Sequence, residues 1–248
     1  MTRRRWIADT WTETTASLTG DQALHLARVL RAEPGQVFDV LAGGFLREAT
    51  VTAVSEGEVT FTLGEELETD AALPVHLLLA IIKFDHYEWA LEKATELGAA
   101  RITPILARRT EKHLGLAAAK RVERWRKIVR EAAQQSRRSD LPEIDDPQPL
   151  RAALTLVNAP MKVLLAETEQ ENTLAAALGT RRAAAAHDGP DAERNHALAL
   201  AIGPEGGWAP EEFALFAAEN WQSVTLGPRV LRAETAAVAG LAICSALL

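Results

Sequence analysis

The sequence predicts an α/β protein in two parts: a small β-rich barrel or sandwich, then a parallel sheet covered by helices. Three observations carry this. The first seventy residues alternate apolar and polar positions in short runs. After Pro74 the apolar runs become continuous, as in strands covered on both faces. Those runs then take turns with helix-like segments, the order that builds a parallel sheet.

In the first part, Thr19 or Asp21 caps a helix over ALHLARVLR, which Pro34-Gly35 ends. QVFDVL, REATVTAV and EVTFTL are strands separated by Gly-containing turns. GEELETDAALP is a polar, acidic hinge, so the domains divide as 1–72 and 73–248. VHLLLAII is a buried strand, and DHYEWALEKATELG a helix with Asp85 as cap and Gly98 as stop. RITPIL is a strand and AAAKRVERWRKIVREAAQQS a long basic helix. KVLLAE, HALALAIG and QSVTLG are strands; NTLAAALG, APEEFALFAAEN and ETAAVAGLAICSALL are the helices that follow them. GTRRAAAAHDGPDAERNH, over 179–196, has no pattern and reads as a surface loop.

Composition narrows the classes. A chain of 248 residues with 48% hydrophobic and 25% charged content is an ordinary soluble globular protein of one or two domains. One cysteine excludes an internal disulfide framework and fits a reducing cytosol; without a Cys-rich zinc pattern, no metal is expected. MTRRRWIADT has no apolar run behind its arginines, so no signal peptide is expected. No apolar stretch reaches the ~18 residues of a membrane-spanning helix. A net charge of −7 argues against a nucleic-acid partner, yet it hides an asymmetry. Residues 101–138 hold 12 Lys and Arg against 3 Asp and Glu, whereas residues 1–70 hold 6 against 12. The basic stretch is suited to a phosphate-binding face.

The segment AIGPEGGWAPEEFALF places three glycines between an apolar run and a helix. No lysine follows Gly206-Gly207, which excludes a P-loop, and the spacing and late position exclude a dinucleotide-binding loop. As a plain strand-to-helix turn, Gly203, Gly206 and Gly207 permit unusual φ, Pro210 begins the helix, and Glu211 and Glu212 complement its dipole. LGPRVLRAETAA repeats the architecture, and its Arg229, Arg232 and Glu234 have little structural reason to be there. Two Gly-rich turns at the C-terminal ends of parallel strands form the crevice where α/β proteins bind ligands.

LAIGPEGGWAPEEF and LGPRVLRAETA together resemble the bacterial 16S ribosomal RNA uracil-N3 methyltransferase family (RsmE) of the SPOUT superfamily. HLARVLR with PGQ, LEKATELGAARITPILARRT and WRKIVREAAQQSRRSDLPEI extend the likeness over most of the chain. The resemblance implies a PUA-like, RNA-binding β-barrel over 1–72 and a SPOUT methyltransferase domain with a deep trefoil knot over 73–248. It also implies a cytoplasmic homodimer that uses S-adenosylmethionine to methylate N3 of a specific uridine near the decoding centre. The partner is then 16S rRNA or the assembled small ribosomal subunit. The implied donor site comprises Leu165, Ala166 and Glu167; Ile202, Gly203, Pro204, Glu205, Gly206 and Gly207; Leu226, Gly227, Val230, Leu231 and Arg232; and Thr235. Two other readings stay open: ribose 2′-O methylation of rRNA or tRNA, and an RNA-binding ribosome assembly factor whose donor site is vestigial.

Uridine N3 must lose its proton to become a nucleophile, so the reaction needs alignment and a group that stabilises or removes that charge. No Ser-His-Asp or Cys-His constellation stands out, and Cys244 reads as core. The candidate catalytic residues are Arg138, three positions after a glutamine in QQSRRSDLP, Arg232, and Glu205. Arg138 contacts phosphate or uracil oxygens, or is a solvated charge; Glu205 orients the donor, accepts a proton, or caps a helix. Candidate RNA contacts are Arg5, Arg31, Arg124, Lys127, Arg130, Arg137 and Arg138. Thr235 bonds a loop carbonyl or caps the last helix. His25 and His76 read as packing residues, His86 and His113 as surface residues, and Trp6, beside Arg3 to Arg5, as an RNA-facing aromatic.

Overall fold

The structure, a computed structural model, describes residues 5–55, 57–69, 73–185 and 197–248. It divides into two compact units, Met1–Ala71 with Ala133–Leu141, and Ala72–Ala132 with Pro142–Leu248.

The first unit is a curled six-stranded sheet. Its elements are β1 (Arg5–Ile7), β2 (Thr10–Trp11), β3 (Thr15–Thr19), α1 (Gly20–Leu24), β4 (Val37–Ala42), β5 (Phe45–Val54) and β6 (Glu58–Glu66). A π-helical turn, His25–Val29, prolongs α1; Thr19 holds its N-cap position without a side-chain cap bond. The strand order is β1-β4-β5-β6-β3-β2, antiparallel except for β1 beside β4. The alternation read in β4 to β6 turns Val40, Val51, Val59 and Phe61 inward onto Leu18 and Leu26. Two register shifts between β5 and β6 mark bulges, which bend a strand and raise its twist. β1 to β3 were not legible as strands, because two to five residues are too few to show a period.

Trp6 corrects one expectation. β1 points its ring into the core, where it is 3% exposed and tilted against His25, so Trp6 is not an RNA-facing aromatic. His25, expected to pack, is exposed and makes a ring contact with Trp6 at 6.0 Å between centroids. Arg3 and Arg4 lie outside the described residues. The segment 133–141 joins this unit through Ala133, which packs with Ile7, Leu41 and Leu46.

The second unit begins with β7 (Leu73–Ala80), α2 (Phe84–Glu96), β8 (Ala99–Leu106), α3 (Lys112–Ala118), α4 (Val122–Gln135), β9 (Glu143–Ile144) and β10 (Gln148–Pro149). It continues with α5 (Leu150–Leu156), β11 (Met161–Leu165), α6 (Leu174–Ala185), β12 (Leu198–Ile202), α7 (Pro210–Ala218), β13 (Gln222–Val224) and α8 (Ala233–Leu247). The sheet is parallel, in the order β10-β8-β7-β12-β11-β13, with β9 also pairing β8. Apolar clusters cover both faces: Leu77, Leu79 and Leu200 meet Leu91, Trp125 and Leu241 on one, while Leu78, Ala199 and Ala201 meet Leu154 and Phe216 on the other. This explains the unbroken apolar runs.

Three boundaries differ from expectation. The long basic helix is two helices, α3 and α4, parted by a 3₁₀ turn at Ala119–Arg121. α6 carries on through residue 185, so the start of the patternless stretch is helical; residues 186–196 lie outside the described residues. Asp85 sits inside the first turn of α2, whose N-cap position is Lys83, while Gly98 does stop that helix with φ +94°.

Candidate functional site

β11 lies between β12 and β13, and all three run parallel, so the loops after them open at one edge of the sheet. Together they enclose a cleft of about 1000 Å³. Its walls include Leu165, Ala166 and Glu167 after β11; Ile202, Gly203, Pro204, Glu205, Gly206 and Gly207 after β12; and Leu226, Gly227, Val230, Leu231 and Arg232 after β13. Thr235 is not on these walls. It is the third residue of α8, exposed, while Arg232 holds the N-cap position without a side-chain cap bond.

The turn after β12 is pinned from several sides. Glu212 is buried in the first turn of α7, where its carboxylate accepts the backbone N–H of Ala209 at 2.8 Å and of Arg108 at 2.7 Å. Arg109 donates to the carbonyl of Gly206, and Gly207 N–H closes a turn onto Pro204 at 2.8 Å. Among the three glycines only Gly207 has positive φ, +70°. Gly203 is required by space instead, because a Cβ there would stand 3.2 Å from the buried ring of Trp208. At Gly206 a Cβ would make an ordinary 3.4 Å contact with Arg109, so neither φ nor crowding demands that glycine.

The turn after β13 is held by its base. Thr225 Oγ1 accepts the N–H of Gly227 and donates to its carbonyl, and Gly227 has φ +122°. Thr225 also donates its N–H to Asn172 and accepts that of Leu174, which ties this loop to the one after β11. Beyond it, Val230 is 74% exposed, and Arg229 and Arg232 are exposed on the cleft wall.

His86, expected at the surface, is half-buried beside the cleft, a position that sequence reasoning missed. It lines the cleft with Lys83 and is not an open surface residue. Its Nδ1 lies 3.0 Å from Glu234 Oε1, out of line for a hydrogen bond. Both that Nδ1 and Glu234 Oε2 are buried without a hydrogen-bond partner. The signal available in the sequence was Glu234, a carboxylate with no structural reason at the start of α8; nothing in DHYE pairs it with His86.

His76, expected in the core, is half-buried in a polar cluster. Its Nε2 is 2.7 Å from Thr103 Oγ1, whose hydroxyl donates to Asp145, so Nε2 carries the proton. Arg101 grips Asp145 with bonds of 2.8 and 2.9 Å. Burial, and then the Arg101 charge, push His76 down to about 4. Burial would raise Asp145, but the hydrogen bonds from Arg101 and Thr103 outweigh it and hold the carboxyl low. Cys244 is core as expected, its thiol pushed up to about 12 by burial. His113 is exposed as expected.

The basic residues fall in both units. Arg5, Arg31, Arg137 and Arg138 belong to the first. Arg5 donates to the carbonyl of Arg137, and Arg138, its side chain 8% exposed, pairs with Asp140. Arg31 is exposed in a left-handed conformation, φ 52°. In the second unit Glu88 accepts two bonds from Arg124 at 2.8 Å and one from Arg121 at 3.1 Å, which lowers its pKa. Lys127 faces Glu131 at 3.8 Å and Arg130 is half-buried on the same helix. Part of the positive charge counted along the sequence is thus neutralised locally.

Residues 69–245 match a family model described as an RNA methyltransferase domain, and residues 18–64 one described as an RNA methyltransferase PUA domain. The chain is 34% identical to Ribosomal RNA small subunit methyltransferase E of Synechocystis sp., over 95% of this chain and 74% of that one. It is 30% identical to the protein of the same name from Bacillus subtilis, over 93% and 90%.

The chain belongs to the ribosomal RNA small subunit methyltransferase E family.

Solved structures agree. A methyltransferase from Legionella pneumophila in complex with S-adenosylmethionine superposes with a TM-score of 0.80 at 27% identity, covering 99% of this chain and 98% of that one. Ribosomal RNA small subunit methyltransferase E of Neisseria gonorrhoeae, bound to S-adenosyl methionine, gives 0.80 at 28%, over 100% and 98%. The fold class is therefore the one expected, a PUA domain and a SPOUT methyltransferase domain. The family's methyltransferase match takes in all three cleft loops, and its PUA match runs from β3 to β6.

Proposed function

We propose that this protein transfers the methyl group of S-adenosylmethionine to N3 of a uridine in small-subunit ribosomal RNA, working as a cytoplasmic homodimer. The observation that carries the reading is the cleft between two Gly-bearing turns, in a domain of a family whose solved members hold S-adenosylmethionine. The cleft suits that donor. Gly203 and Gly227 leave backbone bare on facing turns, while Ile202, Leu165 and Val224 offer apolar wall to an adenine. Glu167 and Glu169 offer carboxylates to its cationic end. When bound, the donor supplies an electrophilic methyl on a sulfonium.

The chain's own part is alignment and charge. Arg232, on the cleft wall, faces the developing negative charge on the uracil oxygens, and as a permanent cation it stabilises that charge without taking a proton. Arg5 and Arg137 supply a phosphate-holding face on the first unit, supported by their common placement there, while Arg138 is turned in against Asp140. We assign residues 1–72, joined by 133–141, to RNA binding and the rest of 73–248 to methyl transfer.

The test is nucleoside mass analysis of small-subunit RNA, offered bare and as assembled subunits, after incubation with protein and donor. 3-Methyluridine is the expected product. A 2′-O-methylated nucleoside moves the reading to ribose chemistry, and absence of donor binding by calorimetry makes the protein an assembly factor.

A further inference from the structure

The methyl transfer needs an acceptor for the N3 proton, and few side chains at the cleft can serve. Lys83, Arg109, Arg229 and Arg232 are cations there, and a protonated ammonium or guanidinium has no acceptor lone pair. Glu167 and Glu205 are exposed, so water competes for their carboxylates, and Glu169 already accepts the N–H groups of Glu171 and Asn172. His86 differs from all of these. Its ring forms part of the cleft wall in the first turn of α2, and its Nδ1 is sealed against Glu234 from the first turn of α8. Nε2 is the nitrogen left open to a substrate; its nearest carboxylate is Asp85 at 3.6 Å, itself solvent-exposed. The charged groups bordering the ring are thus Asp85 and Lys83 beside it, Glu234 facing it from α8, and Arg232 just before that helix.

Among the buried polar atoms of the described residues that lack a hydrogen bond, His86 Nδ1 and Glu234 Oε2 belong to two ionisable side chains that face each other beside the cleft. Leaving such atoms unpaired is costly. Such a pair at the wall of a cleft fits an acid–base role better than a packing role. We infer that His86 is the catalytic proton acceptor for the target uracil and that Glu234 is its positioning residue, an assignment that rests on the uracil-N3 reading. Glu234 orients the ring by the charge of its carboxylate, 3.0 Å from Nδ1, which favours a proton on that nitrogen and stabilises the imidazolium. Nε2 takes the N3 proton. The N3 electron pair forms the new N–CH₃ bond, the methyl C–S bond breaks with its pair staying on sulfur, and the proton leaves His86 for water.

The experiment compares the full chain with His86→Ala, His86→Gln and Glu234→Gln, each checked for fold by circular dichroism and for donor affinity by calorimetry. His86→Ala should lower the single-turnover methylation rate about 100-fold or more with donor affinity unchanged. Added imidazole should restore part of that rate in the alanine variant but not in the glutamine variant, whose side chain fills the space. Glu234→Gln should displace the acid limb of the pH–rate profile to lower pH, because the imidazolium loses its counter-charge. Without donor or RNA, ¹⁵N NMR of the wild-type ring should show the proton on Nδ1 and Nε2 bare, a preference that Glu234→Gln abolishes. A His86→Ala protein that binds donor and methylates at full rate with an unchanged pH profile overturns the inference; so does a wild-type ring with its proton on Nε2. If the wild type makes a methylated nucleoside other than 3-methyluridine, the uracil reading fails first, and the NMR result still decides whether Glu234 holds the ring.

Discussion

Two histidines of the second unit stand in opposite conditions, one on the β7–β8 pair and one at the cleft. His76 gives its proton to Thr103, Thr103 gives its own to Asp145, and Arg101 closes the chain, so each acceptor there has a donor. His86 faces Glu234 with hydrogen-bonding capacity left over on both sides. A closed polar cluster rigidifies the protein and has nothing left to offer a ligand. An open one weakens the fold slightly and keeps its atoms for something that arrives later. The contrast predicts that damage to the first cluster is read in stability, and damage to the cleft in binding or rate.

The largest effect concerns protonation of His76. Its folded pKa, about 4, lies below the ordinary value of 6.5, so its contribution is complete above about 6.5 and lost as pH falls through 4. The loss amounts to about 3 kcal/mol. Urea unfolding measured between those pH values should slope accordingly in the wild type, and the His76→Gln protein should lack most of that slope. A second break is Thr103→Val, which keeps the shape but removes the hydroxyl between His76 and Asp145. It should cost about 2 kcal/mol of stability, with donor affinity unchanged within error. Weaker donor binding in either variant would show that the two clusters are not independent.

The cleft side sharpens the comparison with smaller energies. Gly203→Val pushes a branched side chain into the Trp208 ring, so calorimetry should show donor affinity down about tenfold, or 1.4 kcal/mol. Smallest of all is Val230→Ser on the exposed turn, expected to stay within about 0.5 kcal/mol of wild-type stability by urea titration. A large loss there would mean that the outer turn is as firmly built as the inner one.

The sequence made the parallel sheet and both cleft turns legible, because buried strands, Gly-Pro turns and acidic first turns are local signals. Pro210 with Glu211 and Glu212 was read correctly as a helix start. The reason for Glu212, however, lies in Arg108, a hundred residues earlier. Of the three glycines expected to need unusual φ, Gly207 alone has it, while Gly203 is explained by the ring of Trp208 and Gly206 by neither. His86 was hidden because its partner is far along the chain, and Trp6 was misread because a three-residue strand shows no alternation. The break between α3 and α4 went unseen because AAAKRVERW has no glycine or proline to mark it.

Segment 133–141 has a consequence for how this protein is made. Ala133 completes the apolar contact of Ile7, Leu41 and Leu46, so the amino-terminal unit is not contiguous along the chain. During synthesis it cannot close when residue 71 leaves the ribosome; it must wait until residue 141 has emerged. By then two strands of the other sheet, β7 and β8, and the helices α2 to α4 are already exposed in the nascent chain. A fragment ending near residue 72 would therefore leave an uncovered apolar patch, and a ribosome paused between residues 72 and 132 would hold two unfinished units at once.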